Sequence, residues 1–447
     1  MWSSIRHSRN ILIVGLLASA VGACEPPSGG GTSTKPPTDP PAKDYQVECG
    51  DRCLEVPIDG TSVQFVRIDA EQARPEGEMA PDFLTILDIG GPGADVALAA
   101  EGAHLTYAGV ANHSNAVFAI RERWASHSET ISNGCIQAVN SAAVKARASG
   151  PLSPAGAECD SAEWFDTPDR MADAIEALLA MVGDEKTQVV LVGRSFGAAR
   201  LAATAASMAR PNHLVLVGPA PSTSSGSVRD LARSMSFGLA NRLVVLGCVE
   251  ACQLDLADAL EHMRFEVDGR EVAGLDAVVA LVGMRPGAAE DALVKSMLAD
   301  VQTPNDERGD SVIAQQAFLA EQRFGDKDLG LAVLAHLMGV CSGYQLEGKN
   351  AEGPVGDSRF VSTAEQLLLR WYSACRHSAA GGMNLLPTGA SGCVIINPDD
   401  PLLTPSLQRT WLTDLPGLVE VERANVVHDS IRIELDPSGP CVTKPAP

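Results

Sequence analysis

The chain has 447 residues, too many for one minimal domain, and 45% of them are apolar, enough to bury a sizeable core. One large domain with an insertion and two separate domains fit that length equally. Lysine and arginine number 34 against 56 aspartates and glutamates, for a net charge of −22. So acidic a surface repels phosphate backbones and anionic headgroups, which argues against a nucleic-acid partner and against a polybasic membrane patch.

Arg6 and Arg9 precede an apolar stretch from Ile11 to Ala20 that is too short to span a bilayer comfortably. Residues 1–23 therefore read as a signal peptide. The stretch ends in Val21-Gly22-Ala23-Cys24, similar to the bacterial lipobox, in which cleavage precedes a cysteine whose sulfur receives diacylglycerol. Without these residues, which hold two arginines and no acid, the net charge moves from −22 to −24. Residues 24–44, rich in Pro, Gly, Ser and Thr, cannot bury a core and form a tether behind the anchor. The expected location is the bacterial cell envelope, and Glu25 after Cys24 points by resemblance to Gram-negative sorting toward the outer membrane.

Setting Cys24 aside leaves ten of the eleven cysteines, an even number that suits disulfides in an exported chain. Pairing sequence neighbours gives 49 with 53, 135 with 159, 248 with 252, 341 with 375 and 393 with 441, among many alternatives. A zinc site on Cys49 and Cys53, or on Cys248 and Cys252, would need two further ligands, and no histidine cluster lies near either pair.

From residue 45 the pattern is β-like. Cys53–Ile58 and Ser62–Asp69 alternate as a hairpin does. Phe83–Leu87 and Asn115–Ile120 are near-continuous apolar runs, as strands buried on both faces require. Between Thr167 and Val182 the period becomes helical: Thr167 can cap, Pro168 suits the first position, and Met171, Ile175, Leu178, Leu179 and Val182 share a face. Val189–Val192 is the next strand, Ala198–Ala209 an alanine-rich helix, and His213–Val217 a further strand. The strand signal then largely vanishes until Cys393–Ile396, after which a helix over Pro405–Leu415 leads to a strand near Leu418–Glu422. The fold class this predicts is α/β, a mostly parallel central sheet with helices on both faces. The core occupies residues 45–220 and 389–447, and a helical cap is inserted at 221–388.

Gly193-Arg194-Ser195-Phe196-Gly197 joins a buried strand to a small-residue helix. The string alone is a weak signal. In that context it is strong, because a sharp strand-to-helix turn exposes the serine hydroxyl while flanking glycines avoid collision. Gly90-Gly91-Pro92-Gly93 directly follows the strand at Phe83–Leu87. Pro92 has no N–H, so an oxyanion hole would draw on Gly91 together with Phe196 after the nucleophile. A phosphate loop is the rival reading, but the Lys-Ser/Thr ending and the dinucleotide spacing are both missing. A nucleophilic Ser195 needs an acid and then a histidine downstream, and Asp400 and His428 follow the last two strands in that order. Asp399 could serve in place of Asp400.

These pieces resemble an α/β-hydrolase of the proline-iminopeptidase and tripeptidyl-aminopeptidase branch over most of residues 45–441. The matching parts are the Gly90–Gly93 loop, the Gly193–Gly197 motif, Asp400-Pro401-Leu402-Leu403-Thr404-Pro405, His428, and the cap cysteines Cys341 and Cys375. The resemblance implies a Ser195-His428-Asp400 triad under a helical cap, acting on a small molecule or short peptide with no cofactor and no metal. It also departs from the branch. Ile89 stands where the family often has histidine, the Asp-x-Arg-Gly-x-Gly-x-Ser run is replaced by Glu122–Ser128, and the segment before Thr404 is one residue longer. The residues thus leave open an aminopeptidase, a carboxylesterase, and an inactive binding protein on the same fold. Arg194 reads as packing or pocket lining, Glu122 with Arg123 as an ion pair, and Trp371 with Tyr372 as core.

Overall fold

The computed structural model describes residues 52–68, 80–93, 95–96, 115–147, 161–210, 212–224, 226–267, 270–283, 288–301, 312–313, 316–317, 331–344, 358–372, 386–387, 389–398, 400, 402–423 and 441. The signal segment, Cys24, Glu25 and the tether lie outside the described residues, as do Cys49, Cys159, Cys375, Asp399 and His428.

Strands β1 (Cys53–Ile58) and β2 (Thr61–Arg67) form the expected antiparallel hairpin. Asp59 and Gly60 at its tip hold φ of 46° and 81°, a primed turn whose twist matches that of paired strands. Next come β3 (Phe83–Asp88), β4 (Asn115–Arg121), β5 (Gln188–Arg194) and β6 (Asn212–Val217). After the two short strands β7 (Arg264–Val267) and β8 (Arg270–Ala273), the chain adds β9 (Ser391–Ile396) and β10 (Leu418–Glu422). Eight of these strands make one sheet in the order β1-β2-β4-β3-β5-β6-β9-β10, while β7 and β8 pair with each other. Only β1 with β2 and β2 with β4 run antiparallel in the large sheet. This is the α/β-hydrolase arrangement, in which the strand order reverses beside β3.

Helices α1 (Arg123–Ser126) and α2 (Asn133–Arg147) follow β4, α3 (Pro168–Val182) precedes β5, and α4 (Gly197–Ser207) follows it. Thr167 caps α3 by accepting from the Arg170 N–H, with Pro168 in the first turn. Met171, Ile175, Leu178 and Leu179 are buried, as their spacing requires. They meet Leu201 and Ala202 of α4 and one face of the sheet, including Phe65, Leu84, Ile86, Leu191 and Leu214. The opposite face, with Leu87, Val117, Val190, Val192 and Val215, packs against Ile68, Val96 and Cys441 among the described residues. Burial on both faces explains why β3 and β5 read as unbroken apolar runs.

Between β6 and β9 lie α5 (Val228–Val245), α6 (Glu250–His262), α7 (Gly274–Gly283), α8 (Ala288–Val301), α9 (Leu331–Gly343) and α10 (Arg359–Tyr372). A capping box of Ser227 and Asp230 starts α5. The apolar side of α10, with Phe360, Ala364, Leu367, Leu368 and Trp371, packs on α5, α6 and α7. The interval is mainly helical among its described residues, and the β7–β8 ribbon is an addition that its sequence pattern did not suggest. The helix expected over Pro405–Leu415 is two short ones, α11 (Pro405–Gln408) and α12 (Thr410–Asp414). At the break the Thr410 hydroxyl donates to the Leu407 carbonyl at 2.6 Å, competing with the helical backbone bond.

Two of the expected disulfides, Cys248–Cys252 and Cys393–Cys441, are formed. Cys53, Cys135 and Cys341 are also disulfide-bonded, with partners outside the described residues. No described helix is long and apolar enough to cross a membrane.

Candidate active site

β5 ends at Arg194, and α4 begins at Gly197, so the chain reverses within two residues. Ser195 takes up the reversal at φ 50°, a left-handed conformation that a residue with a Cβ adopts only under constraint. The constraint comes from β6 and the segment after it: the Ser195 N–H donates to Val217 O at 3.1 Å, and the Ser195 carbonyl accepts from Ala220 N at 3.0 Å. At Gly193 a Cβ would lie 2.6 Å from the Ala198 Cα. Only glycine lets strand and helix approach so closely there.

Opposite the turn, the loop after β3 runs through Gly90, Gly91 and Gly93, all at positive φ. A Cβ on Gly90 would sit 2.1 Å from the Arg194 carbonyl oxygen. Side chains pin this loop at two points. The Asp88 carboxylate accepts from Gly90 N at 2.9 Å, and the Glu122 carboxylate accepts from Gly93 N at 3.1 Å. Both acids are buried, and Arg200, one turn into α4, joins them. Its Nε and Nη2 reach Asp88 at 2.8 and 2.6 Å, and its Nη1 pairs with Glu122, to which the Trp124 indole also donates. Burial raises the Glu122 carboxyl pKa against the opposing pull of Arg200. For Arg200 burial alone would lower the guanidinium, but Asp88 and Glu122 outweigh it and hold the group protonated. Glu122 therefore pairs with Arg200 and not with its neighbour Arg123, which turns toward Asp166 at 3.7 Å. Successive residues leaving a strand point apart, and Glu122 is the one aimed at the serine turn.

Asp400 follows β9 and is buried, its Oδ1 accepting from the N–H groups of Leu402 at 2.8 Å and Leu403 at 3.0 Å. The fully buried Gln408 amide donates to Asp400 Oδ2 at 3.4 Å and to Leu403 O at 2.7 Å. Leu402 and Leu403 in turn line the pocket onto which Ser195 opens, so the acid loop forms one wall of it. Its alternative Asp399 and the expected base His428 fall outside the described residues.

The pocket brings Ser195 together with Gly91 and Phe196, the two expected oxyanion donors, and with Arg194. Leu231, Met235 and Val340 supply much of the apolar wall. Its cavity volume of about 40 Å³ has room for the centres of about three waters, so it suits a small group. No carboxylate lines it among the described residues. Two polar residues in the wall were not assigned to the site from the sequence. His336 on α9 is a lone histidine in an apolar helix, ordinarily a packed one, and Tyr372 ends the Leu-rich α10 that reads as core. Both are indeed buried, yet both also face the pocket.

No protein-family model matches the chain, and no curated protein matches it. Solved structures do. An esterase of Pyrobaculum calidifontis is similar at 12% identity and a TM-score of 0.32, covering 84% of this chain and 76% of that one. A serine hydrolase of Cycloclasticus zankles is 13% identical with a TM-score of 0.33, covering 85% and 91% of the two chains. An epoxide hydrolase from hot-environment metagenomes is 14% identical with a TM-score of 0.32, covering 84% and 92%. At such scores the likeness assigns no activity.

Proposed function

We propose that the protein is a serine hydrolase that cleaves small carboxylic esters through an acyl-enzyme on Ser195. The observation that carries this reading is the serine at φ 50° between β5 and α4, opening on one pocket with Gly91 and Phe196. In the first step the Ser195 hydroxyl oxygen bonds to the ester carbonyl carbon while His428 takes its proton. The N–H groups of Gly91 and Phe196 receive the oxyanion, and Asp400 orients His428. Collapse breaks the bond to the alcohol, which leaves with the proton from His428. Water then attacks the acyl-enzyme and gives a proton to His428, and the second collapse breaks the bond to Ser195 Oγ, which takes that proton back as the acid leaves. The test is a fluorophosphonate probe: wild type labels and Ser195→Ala does not, whereas equal labelling of both would overturn the assignment. A binding protein that merely keeps the fold would label in neither.

Esters are favoured over peptides by the wall of the pocket. An aminopeptidase must pair a buried acid with the substrate's free ammonium. The described lining offers instead the cation of Arg194 and neutral His336 and Tyr372. Leu231, Met235, His336, Val340 and Tyr372 of that lining come from residues 221–388, which supports reading the interval as a cap. A short-chain nitrophenyl ester should be turned over, with no gain for an amino-acid anilide over its N-acetylated form. Strong preference for the free amine would reject the esterase in favour of the aminopeptidase branch.

The lipobox-like Val21–Cys24 supports anchoring through a diacylated Cys24 in the cell envelope, with residues 24–44 as tether. Cys24→Ser should abolish lipid labelling and membrane retention. Wild type found soluble and unlipidated would refute the anchor.

A further inference from the structure

The loop that carries Gly91 has three glycines at positive φ and so little intrinsic stiffness. Its upstream end is fixed by Asp88 at Gly90 N, and Gly93 N is held by Glu122. The same stretch is held from the other side of the pocket by α9, through the Pro92 carbonyl, which shares its peptide with the Gly93 N–H. His336, Gly339 and Val340 fall on one face of that helix at i, i+3 and i+4. A Cβ on Gly339 would lie 2.3 Å from the Pro92 Cβ, so helix and loop meet as closely as glycine allows. One turn earlier, His336 Nδ1 lies 3.1 Å from the Pro92 carbonyl, with the Gly91 carbonyl a second hydrogen-bond acceptor.

Hydrogen-bond chemistry fixes the histidine's tautomer. A carbonyl only accepts, so Nδ1 must carry the proton. Burial keeps the imidazole neutral, its pKa pushed down to about 4, which leaves Nε2 an acceptor. Tyr372 Oη, 3.2 Å from Nε2, is its donor, and burial pushes the phenol pKa up so that it keeps its proton. Trp371 stacks on the imidazole at 5.4 Å, with 13° between the planes, and fixes its rotation. A chain of Tyr372 to His336 to the Pro92 carbonyl thus runs from α10 through α9 to the loop.

We propose that His336, oriented by Tyr372, is a positioning residue: by holding the two peptides that follow Gly91 Cα it fixes the conformation of Gly91 and so the direction of its N–H, and the cap completes the oxyanion hole. The inference rests on Ser195 being the nucleophile. It makes a graded demand: losing interactions that matter only when the carbonyl becomes an oxyanion lowers kcat and leaves KM nearly alone.

The test compares wild type, Tyr372→Phe, His336→Gln and His336→Leu on a nitrophenyl ester. It adds two inhibitors: a trifluoromethyl ketone, which adds to serine as a tetrahedral oxyanion, and the matching methyl ketone, which stays trigonal. Since losing one oxyanion donor outright costs about 10² to 10³ in kcat, misaiming it should cost about 10-fold in Tyr372→Phe and about 100-fold in His336→Leu. KM should move less than about 2-fold, and His336→Gln, which can still donate to Pro92 O, should recover part of the loss. The trifluoromethyl ketone should weaken in proportion to kcat while the methyl ketone does not. Folded variants that keep wild-type kcat and trifluoromethyl ketone affinity, or that change KM alone, would overturn the proposal. Should His336→Leu not fold, Tyr372→Phe, which keeps the ring and loses only the hydroxyl, decides by itself. Wild type inert to ester and fluorophosphonate alike would instead remove the reading of Ser195, and the proposal with it.

Discussion

Ser195 and Gly90 face each other across a gap that only their backbone conformations make possible. Gly90 at φ 75° lies so near the Arg194 carbonyl that no side chain fits. Gly90→Ala should therefore lose more than about 2 kcal/mol of stability, from the left-handed φ and the backbone clash together, and most of its ester turnover. Denaturant melts beside kcat measurements would check both, and a wild-type-like alanine variant would contradict the close approach. At the acid position, Asp400 is held by two backbone N–H groups and the Gln408 amide. That geometry survives amidation poorly, because an amide nitrogen would face N–H donors. Asp400→Asn should lose about 10³-fold or more in kcat, and Asp399→Asn should not; the reverse order would move the acid to Asp399.

At the scale of elements, α4 does two things at once. Its N-terminus closes the serine turn, and its Arg200, about one turn later, neutralises two acids that end β3 and follow β4. Those acids hold the Gly90–Gly93 loop, so the helix that follows the serine also supports the loop across from it. Removing Arg200 strands two buried carboxylates with no cation between them. Arg200→Leu should lower the unfolding free energy by about 3 to 5 kcal/mol, the cost of breaking a buried ion pair from one side. Urea unfolding measures this, and a loss below about 1 kcal/mol would show that the acids find other partners. The Thr167 cap of α3 is a smaller device, worth about 1 kcal/mol to the alanine variant.

For the whole molecule, two long-range ties set the response to reduction and to acid. Cys393 in the central sheet is joined to Cys441 across a separation of 48 residues, while Cys248–Cys252 spans only 4. In the chain-entropy account the longer loop is worth about 4 kcal/mol and the shorter about 2. Cys441→Ser should thus lower the Tm roughly twice as far as Cys252→Ser. The acid response follows from His336, whose folded pKa of about 4 lies below the usual 6.5. Between those values the unfolded chain holds a proton that the folded chain lacks, so stability falls as pH falls through the window. The loss approaches about 3 kcal/mol near pH 4. His336→Phe, which cannot bind that proton, should lose less Tm than wild type between pH 7 and pH 4. Parallel curves would show that His336 does not titrate in this range.

The strands, the capped α3 and the serine turn were legible in the sequence because each is encoded by near neighbours. Apolar runs mark strands buried on both faces, Thr167-Pro168 marks a helix start, and Gly193 to Gly197 marks a turn that only small residues permit. The position of Asp400 just after β9 could be read for the same reason, since it depends on strand order alone. What no local pattern carried are the side-chain meetings across large separations. Arg200 reaches Asp88 over 112 residues and Glu122 over 78, and His336 reaches Pro92 over 244. A lone histidine in an apolar helix looks like any packed histidine until the fold lays it against the Gly90–Gly93 loop. Local spacing fixes which elements form, whereas the partners of a buried polar group are decided only when packing brings particular acceptors within its reach.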